Sequence, residues 1–222
     1  MTGDKRAMPR VTLSFDNGPH REVTPAVLDA LAKYAIRAVF FVVGKNIDSS
    51  EGRALIAEAH GQGHWIGNHT YHHARPLGLI EDASAALWEI ERTDALIGEY
   101  VQPAPLFRPY GEGGVLDRRL LSAAAVAHLC ERRSTCVIWN AVPRDWLDPQ
   151  GWVETALRQI GEREHSLVVL HDIPTGAMAH LGRFIERALS CGAEFRQEFP
   201  RDCVLIQEGE PTALLEAFVT RR

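Results

Sequence analysis

Two histidines stand at i and i+4 in His69-Thr70-Tyr71-His72-His73. If that segment enters a helical turn, both imidazoles face one side, as a divalent metal ion requires, and His72 points away. Asp16 and Asn17, inside Ser14-Phe15-Asp16-Asn17-Gly18-Pro19, set two oxygen-bearing side chains next to each other. One can bind a metal while the other takes a proton from water. An Asx turn accounts for the same residues, because Gly18 and Pro19 fit a tight turn. His171 ends the apolar run 167–170 and precedes Asp172. A histidine there is either a satisfied buried residue or a general acid, since imidazole titrates near neutral pH. His60 and His64 repeat the i, i+4 spacing, but no carboxylate or amide motif accompanies them. They read as a helix end and a strand start.

These residues need a frame that brings them together. Short apolar runs at 11–15, 38–43, 64–67, 105–107, 136–139 and 167–170 have strand length. Between them lie amphipathic stretches at 24–34, 52–60, 83–97, 117–128, 151–160 and 179–190. Strand-length runs alternating with helices predict a parallel sheet covered by helices, an α/β fold. Residues 203–206 are a candidate further strand. The polar residues fall at one phase of this repeat: Asp16 and Asn17 follow the first run, His69 and His73 the third, Arg108 the fourth, Asp145 the fifth and His171 the sixth. In a barrel of parallel strands the active site lies at the C-terminal strand ends. All of them would meet at one rim.

Composition narrows the function. The chain has 222 residues, 45% hydrophobic and 24% charged, the balance of an ordinary globular protein long enough to bury a sizeable core. A net charge of -5 without a basic cluster argues against a nucleic-acid partner. No run has the roughly 18 apolar residues of a transmembrane helix. The polar start MTGDKRAMPR does not read as a secretory signal, and Cys130, Cys136, Cys191 and Cys203 show no C-x-x-C spacing. Reduced thiols and a cytoplasmic location are the expectation.

SFDNGP, HTYHH, FRPYG, PRDW and VVLHD occur in the order of the five motifs of the polysaccharide deacetylase (NodB-like) family, carbohydrate esterase family four. The chain resembles that family over residues 11–172. The resemblance implies a distorted (β/α) barrel, with residues 1–222 forming one catalytic domain. It implies metal-dependent hydrolysis of an N-acetyl group on an amino sugar. Asp16 matches the general base, Arg108 the arginine that holds it, and His171 the general acid. Asp145 matches the carboxylate that orients His171. Trp146 and Leu170 match the pocket wall, and Tyr110, through its backbone N–H, the oxyanion donor. Asn17, His69 and His73 match the metal ligands. Zinc is the expected ion, with cobalt, nickel and manganese compatible with such donors.

The sequence departs from the family pattern at three places. Asn17 stands where a second Asp is usual, which removes a charge from the metal set. FRPYG is one residue shorter than the usual motif, which puts Tyr110's role in question. Val142 replaces a frequent Asp. Two other readings compete: an allantoinase- or imidase-like hydrolase of another C–N bond, and a non-catalytic sugar-binding relative. The expected substrate is a soluble or cytosolic-face precursor, such as a nucleotide- or lipid-linked N-acetylated amino sugar, rather than a mature wall polymer.

Overall fold

A computed structural model describes residues 8–101 and 104–221. β1 (Arg10–Asp16), β2 (Val39–Val42), β3 (Trp65–Asn68), β4 (Leu106–Phe107), β5 (Thr135–Val137) and β6 (His165–His171) form the parallel core of the sheet. Each pairs with the next in chain order from β1 to β5, while β6 returns to lie beside β1. A parallel bridge between Ala141 and Val168 joins the chain beyond β5 to β6. The sheet thereby curls into the distorted (β/α) barrel that the sequence predicts. β7 (Glu194–Arg196) pairs with the first half of β1. β8 (Val204–Gln207) runs antiparallel to β5, and β9 (Glu210–Pro211) antiparallel to β8.

The helices are α1 (Thr24–Lys33), α2 (Gly44–Ile47), α3 (Ser50–Gly61), α4 (Ala83–Ile97), α5 (Ala123–Glu131), α6 (Trp152–Gly161) and α7 (Leu181–Ser190). Ser49, Asp82 and Ser122 cap α3, α4 and α5 by accepting from the N–H groups of Gly52, Ser84 and Ala125. Residues 117–121, expected to begin a helix, precede Ser122 and lie outside α5. Among the described residues, no helix is long and apolar enough to cross a membrane.

Strand alternation sorts the core into two clusters. Val11, Leu13 and Phe15 of β1 and Val168 and Leu170 of β6 pack with Leu28, Leu31, Trp152, Phe184 and Ile185 of the helices. The opposite faces carry Val39, Phe41, Phe107, Leu167 and Val169, in a second cluster continuous with Ile90 of α4 and Leu129 of α5. This alternation corrects one expectation. Leu170 belongs to the first cluster and is fully buried among helix side chains, whereas its neighbour Val169 lines the site. With His171 turned toward the site, position 170 must face away.

Register then places the chemistry. Asp16 of β1 is the direct Cα partner of His171 of β6. Asn68 of β3 pairs with Phe107 of β4, so His69 and Arg108 leave their strands side by side. A slip of one residue in either pair would turn these groups to the wrong face. Leu170→Ala should cost about 2–5 kcal/mol of stability, read by denaturant unfolding, and leave KM for substrate unchanged. A raised KM without loss of stability would return Leu170 to the pocket.

Candidate active site

The site is a cavity of about 230 Å³ at the C-terminal strand ends. Asp16, Asn17, His69, His73, Tyr110, Trp146 and His171 all line it. Asp16 is almost fully buried, and a fully buried Arg108 donates from Nη1 to its Oδ1 at 2.7 Å. The same Nη1 donates to Ser14 Oγ at 2.7 Å, and the guanidinium lies 4.1 Å from the centre of the Phe41 ring. Ser14 went unnoticed in the sequence, although its position two residues before Asp16 puts it on the same strand face.

His69 is anchored twice. Its backbone N–H donates to Val42, and its Nδ1 lies 2.8 Å from the Arg108 carbonyl. A carbonyl only accepts, so Nδ1 carries the proton and Nε2 is left with its electron pair free. That Nε2 is 3.5 Å from Asp16 Oδ2. The His73 ring lies 4.5 Å from the His69 ring and packs on Tyr110 at 4.2 Å. Burial lowers the His69 pKa to about 3. Burial first, then the neighbouring His69, pushes His73 down to about 2. Both rings are therefore neutral at ordinary pH, the form that ligates metals.

No helical turn brings the two rings together. The loop after β3 does so with Thr70 at φ 65° and His73 at φ 53°. His72 does point away: it is exposed, with Nδ1 2.6 Å from Glu89 Oε1. His64 is a structural residue whose Nδ1 accepts from the Ala38 N–H, and His60 lies in the last turn of α3.

Asn17 has φ 71°, and its Oδ1 is buried without a hydrogen-bond partner. Its own carbonyl accepts from Asn46 Nδ2 at 2.7 Å, which holds the turn. Gly18 is pressed against the fully buried Asp172, and a Cβ there would meet Asp172 Oδ1 at 2.1 Å. Among the described residues, no three His, Cys, Asp or Glu side chains form a metal-holding group. The same cavity is lined by two neutral imidazoles and by Asn17, whose amide oxygen is left unpaired in a buried position. An unmet acceptor of this kind needs a cationic or N–H partner, so the residues fit a divalent ion.

Across the cavity, Asp145 is fully buried and grips His171 at two points. Oδ2 accepts the His171 backbone N–H at 2.9 Å, and Oδ1 lies 2.9 Å from Nδ1. Nδ1 is thus the protonated nitrogen of the neutral ring, and Nε2 faces the site. Trp146 packs edge-on to the imidazole at 4.7 Å. Burial lowers the His171 pKa, but the Asp145 hydrogen bond and the charges of Asp145, Asp16 and Asp172 outweigh it, and the net shift is upward. Val142, Trp139, Val169, Ile173 and the glycines at 111, 113 and 114 complete the wall. Tyr110 takes its place in that wall despite the shortened motif.

The polysaccharide deacetylase family profile matches residues 3–128. A chitooligosaccharide deacetylase of Sinorhizobium fredii is 31% identical over 167 residues, 74% of this chain and 72% of that protein. A peptidoglycan-N-acetylglucosamine deacetylase of Bacillus cereus is 29% identical over 191 residues, 83% of this chain. The chain spans 65% of that relative's length and 37% of a related deacetylase from Listeria monocytogenes. A family 4 acetyl xylan esterase from Clostridium thermocellum, solved with a cobalt ion, superposes with a TM-score of 0.66 at 27% identity. That match covers 84% of this chain and 87% of the other. A family 4 carbohydrate esterase from Streptomyces lividans shares the fold with a TM-score of 0.71 at 23% identity, covering 91% and 99%. The chain belongs to the polysaccharide deacetylase family.

The Asp145–His171 pair has a consequence for pH. A histidine whose folded pKa is raised contributes stability that is full below its unfolded value, about 6.5. That contribution is lost as pH rises through the raised folded value. Asp145→Asn should lower the His171 titration midpoint, measured by NMR, and shrink this acid-side stabilisation. An unmoved midpoint would mean that Asp145 does not set the proton affinity of His171.

Proposed function

We propose that this chain is a metal-dependent deacetylase that hydrolyses the acetamido group of N-acetylglucosamine units in a glycan. One observation carries this reading: a carboxylate held by arginine and an imidazole held by carboxylate stand at paired strand ends in a cavity lined by two neutral imidazoles. A binding protein needs no such acid and base pair. The relatives that act on peptidoglycan and chitooligosaccharide support the substrate class.

His69 Nε2, His73 and Asn17 Oδ1 would hold the divalent ion, with zinc the expected metal and cobalt a substitute. When bound, it supplies Lewis acidity toward the acetamide carbonyl and toward water. Asp16, fixed in place by Arg108, accepts the proton of the attacking water. Arg108 keeps the carboxylate oriented so that one oxygen is free for that proton. His171, protonated on Nε2, gives its proton to the amine nitrogen as the C–N bond breaks, and acetate leaves. Asp145 stabilises the imidazolium before the transfer and its tautomer afterwards. The Tyr110 backbone N–H is assigned to the developing oxyanion. Trp146 and Val142 offer apolar wall to the sugar ring and the acetyl methyl.

The test is acetate release from chitooligosaccharides and peptidoglycan fragments, with acetylated xylan and allantoin as comparators. N-acetylated glycans should release acetate, and a chelator should abolish the release reversibly. Turnover of allantoin without acetate release from any glycan would establish the imidase-like alternative instead. Asp16→Asn and His171→Ala should each lower turnover about 10²–10⁴-fold, the range for lost proton transfer, measured under conditions where circular dichroism shows the variant folded. Full activity in either variant rejects its assigned role.

Asn17→Asp adds a negative charge to the donor set and should tighten metal binding in calorimetric titration. Turnover at saturating metal can move either way, because an added anion also lowers the acidity of bound water. Unchanged affinity would remove Asn17 from the ligand set.

A further inference from the structure

The loop that carries His69 and His73 leaves few of its backbone groups to water. The His69 N–H donates to Val42 at 2.9 Å, and the Thr70 N–H to Asn68 Oδ1 at 2.8 Å. The carbonyls of Thr70 and Tyr71 accept from Gly44 and Lys45, the first residues of α2, at 2.9 and 3.0 Å. The next two N–H groups in succession are those of Tyr71 and His72. Both donate to a single atom, Glu89 Oε2, at 3.0 and 2.8 Å. The other oxygen, Oε1, lies 2.6 Å from His72 Nδ1. The Glu89 side chain is only 14% exposed. It projects from α4, which also holds β3's last residue: Asn68 Nδ2 donates to the Ile90 carbonyl and to Asp94 Oδ1.

This grip has something to oppose. Thr70 and His73 both occupy the left-handed region, which non-glycine residues hold only when their surroundings over-determine it. His69 is pinned from both sides by Val42 and Arg108. His73 lies four residues further on, at the end of the segment that Glu89 grips, and its ring packs against those of His69 and Tyr110. The separation of the two imidazoles therefore depends on the path of residues 70–72.

We propose that Glu89 is a positioning residue that sets the His73 imidazole against His69 by accepting the Tyr71 and His72 N–H groups, and so fixes the affinity of the metal site. The proposal rests on the metal-dependent reading above. Glu89 does not touch the ion or the substrate; it acts through the backbone. A carboxylate suits the task because one oxygen can accept two N–H groups while the other meets the His72 ring.

The experiment compares Glu89→Ala and Glu89→Gln with the parent protein, stripped by chelator and titrated with cobalt(II). Affinity is read by calorimetry, and the coordination sphere by the visible absorption of the bound ion. Glu89→Ala should bind cobalt about 10–100-fold more weakly, the usual cost of losing a group that orients a ligand, and with an altered spectrum. Glu89→Gln keeps an oxygen acceptor for both N–H groups and should recover most of the affinity and the parent spectrum. Parent-like affinity and spectrum in Glu89→Ala would overturn the proposal, as would a glutamine variant no better than alanine. If Glu89→Ala does not fold, amide hydrogen exchange in the metal-free parent decides. Protected Tyr71 and His72 amides support the grip, and amides exchanging at free-loop rates overturn it. A parent protein that takes up no cobalt would defeat the metal-dependent reading itself, while the exchange measurement would still report on Glu89.

Discussion

The site depends on a guanidinium with no exposure to solvent. Arg108 leaves β4, three strands away from β1, and reaches Asp16 and Ser14 across the inside of the curled sheet. Taking a charged pair out of water is costly, and removing one partner from such a pair typically costs about 3–5 kcal/mol because the other charge is left buried. Arg108 therefore does more than orient a carboxylate. Its carbonyl accepts from His69 Nδ1, so the same residue fixes the Asp16 carboxylate on one strand and the tautomer of a histidine on another. The aromatic faces of Phe41 and Trp139 around the guanidinium replace part of the lost hydration.

The two halves of the cavity are built by the same device. On each side a buried group is held by a partner of opposite polarity: Asp16 by Arg108, His171 by Asp145. Both partners come from strand ends or the loops just beyond them, and the β1–β6 register sets Asp16 beside His171. Between them, burial strips protons from His69 and His73, while the carboxylates around His171 favour its charged form. Three imidazoles in one cavity thus have opposite proton affinities because their neighbours differ. In the proposed mechanism that divergence assigns histidine both to metal ligation and to proton donation in one place.

Much of this was legible in the sequence, and the exceptions have physical reasons. The strand runs were legible because buried parallel strands are apolar on both faces. β7 and β9 were not, since Glu194–Arg196 and Glu210–Pro211 are short and carry no apolar run. The i, i+4 spacing of His69 and His73 did bring two rings together, but through left-handed residues rather than a helix, and spacing alone does not distinguish the two. Leu170 was misplaced although strand parity with His171 would have turned it outward. Glu89 could not have been found, because its partners are backbone N–H groups that every sequence possesses.

The closure of the barrel is uneven. β1 and β6 share seven registered residue pairs, whereas the chain beyond β5 meets β6 through one backbone bridge, with Ala141 donating to Leu167 and accepting from Val169, and otherwise through the side chains of Asn140 and Asp145. β3 and β4 likewise share one registered pair, so what marks the bridge at Ala141 is its nearness to the site. It lies one residue before Val142, four before Asp145 and five before Trp146. The Asp16 side of the cavity is therefore stitched by backbone and the Asp145 side by side chains. Substitution can loosen the second without breaking the ladder of the first.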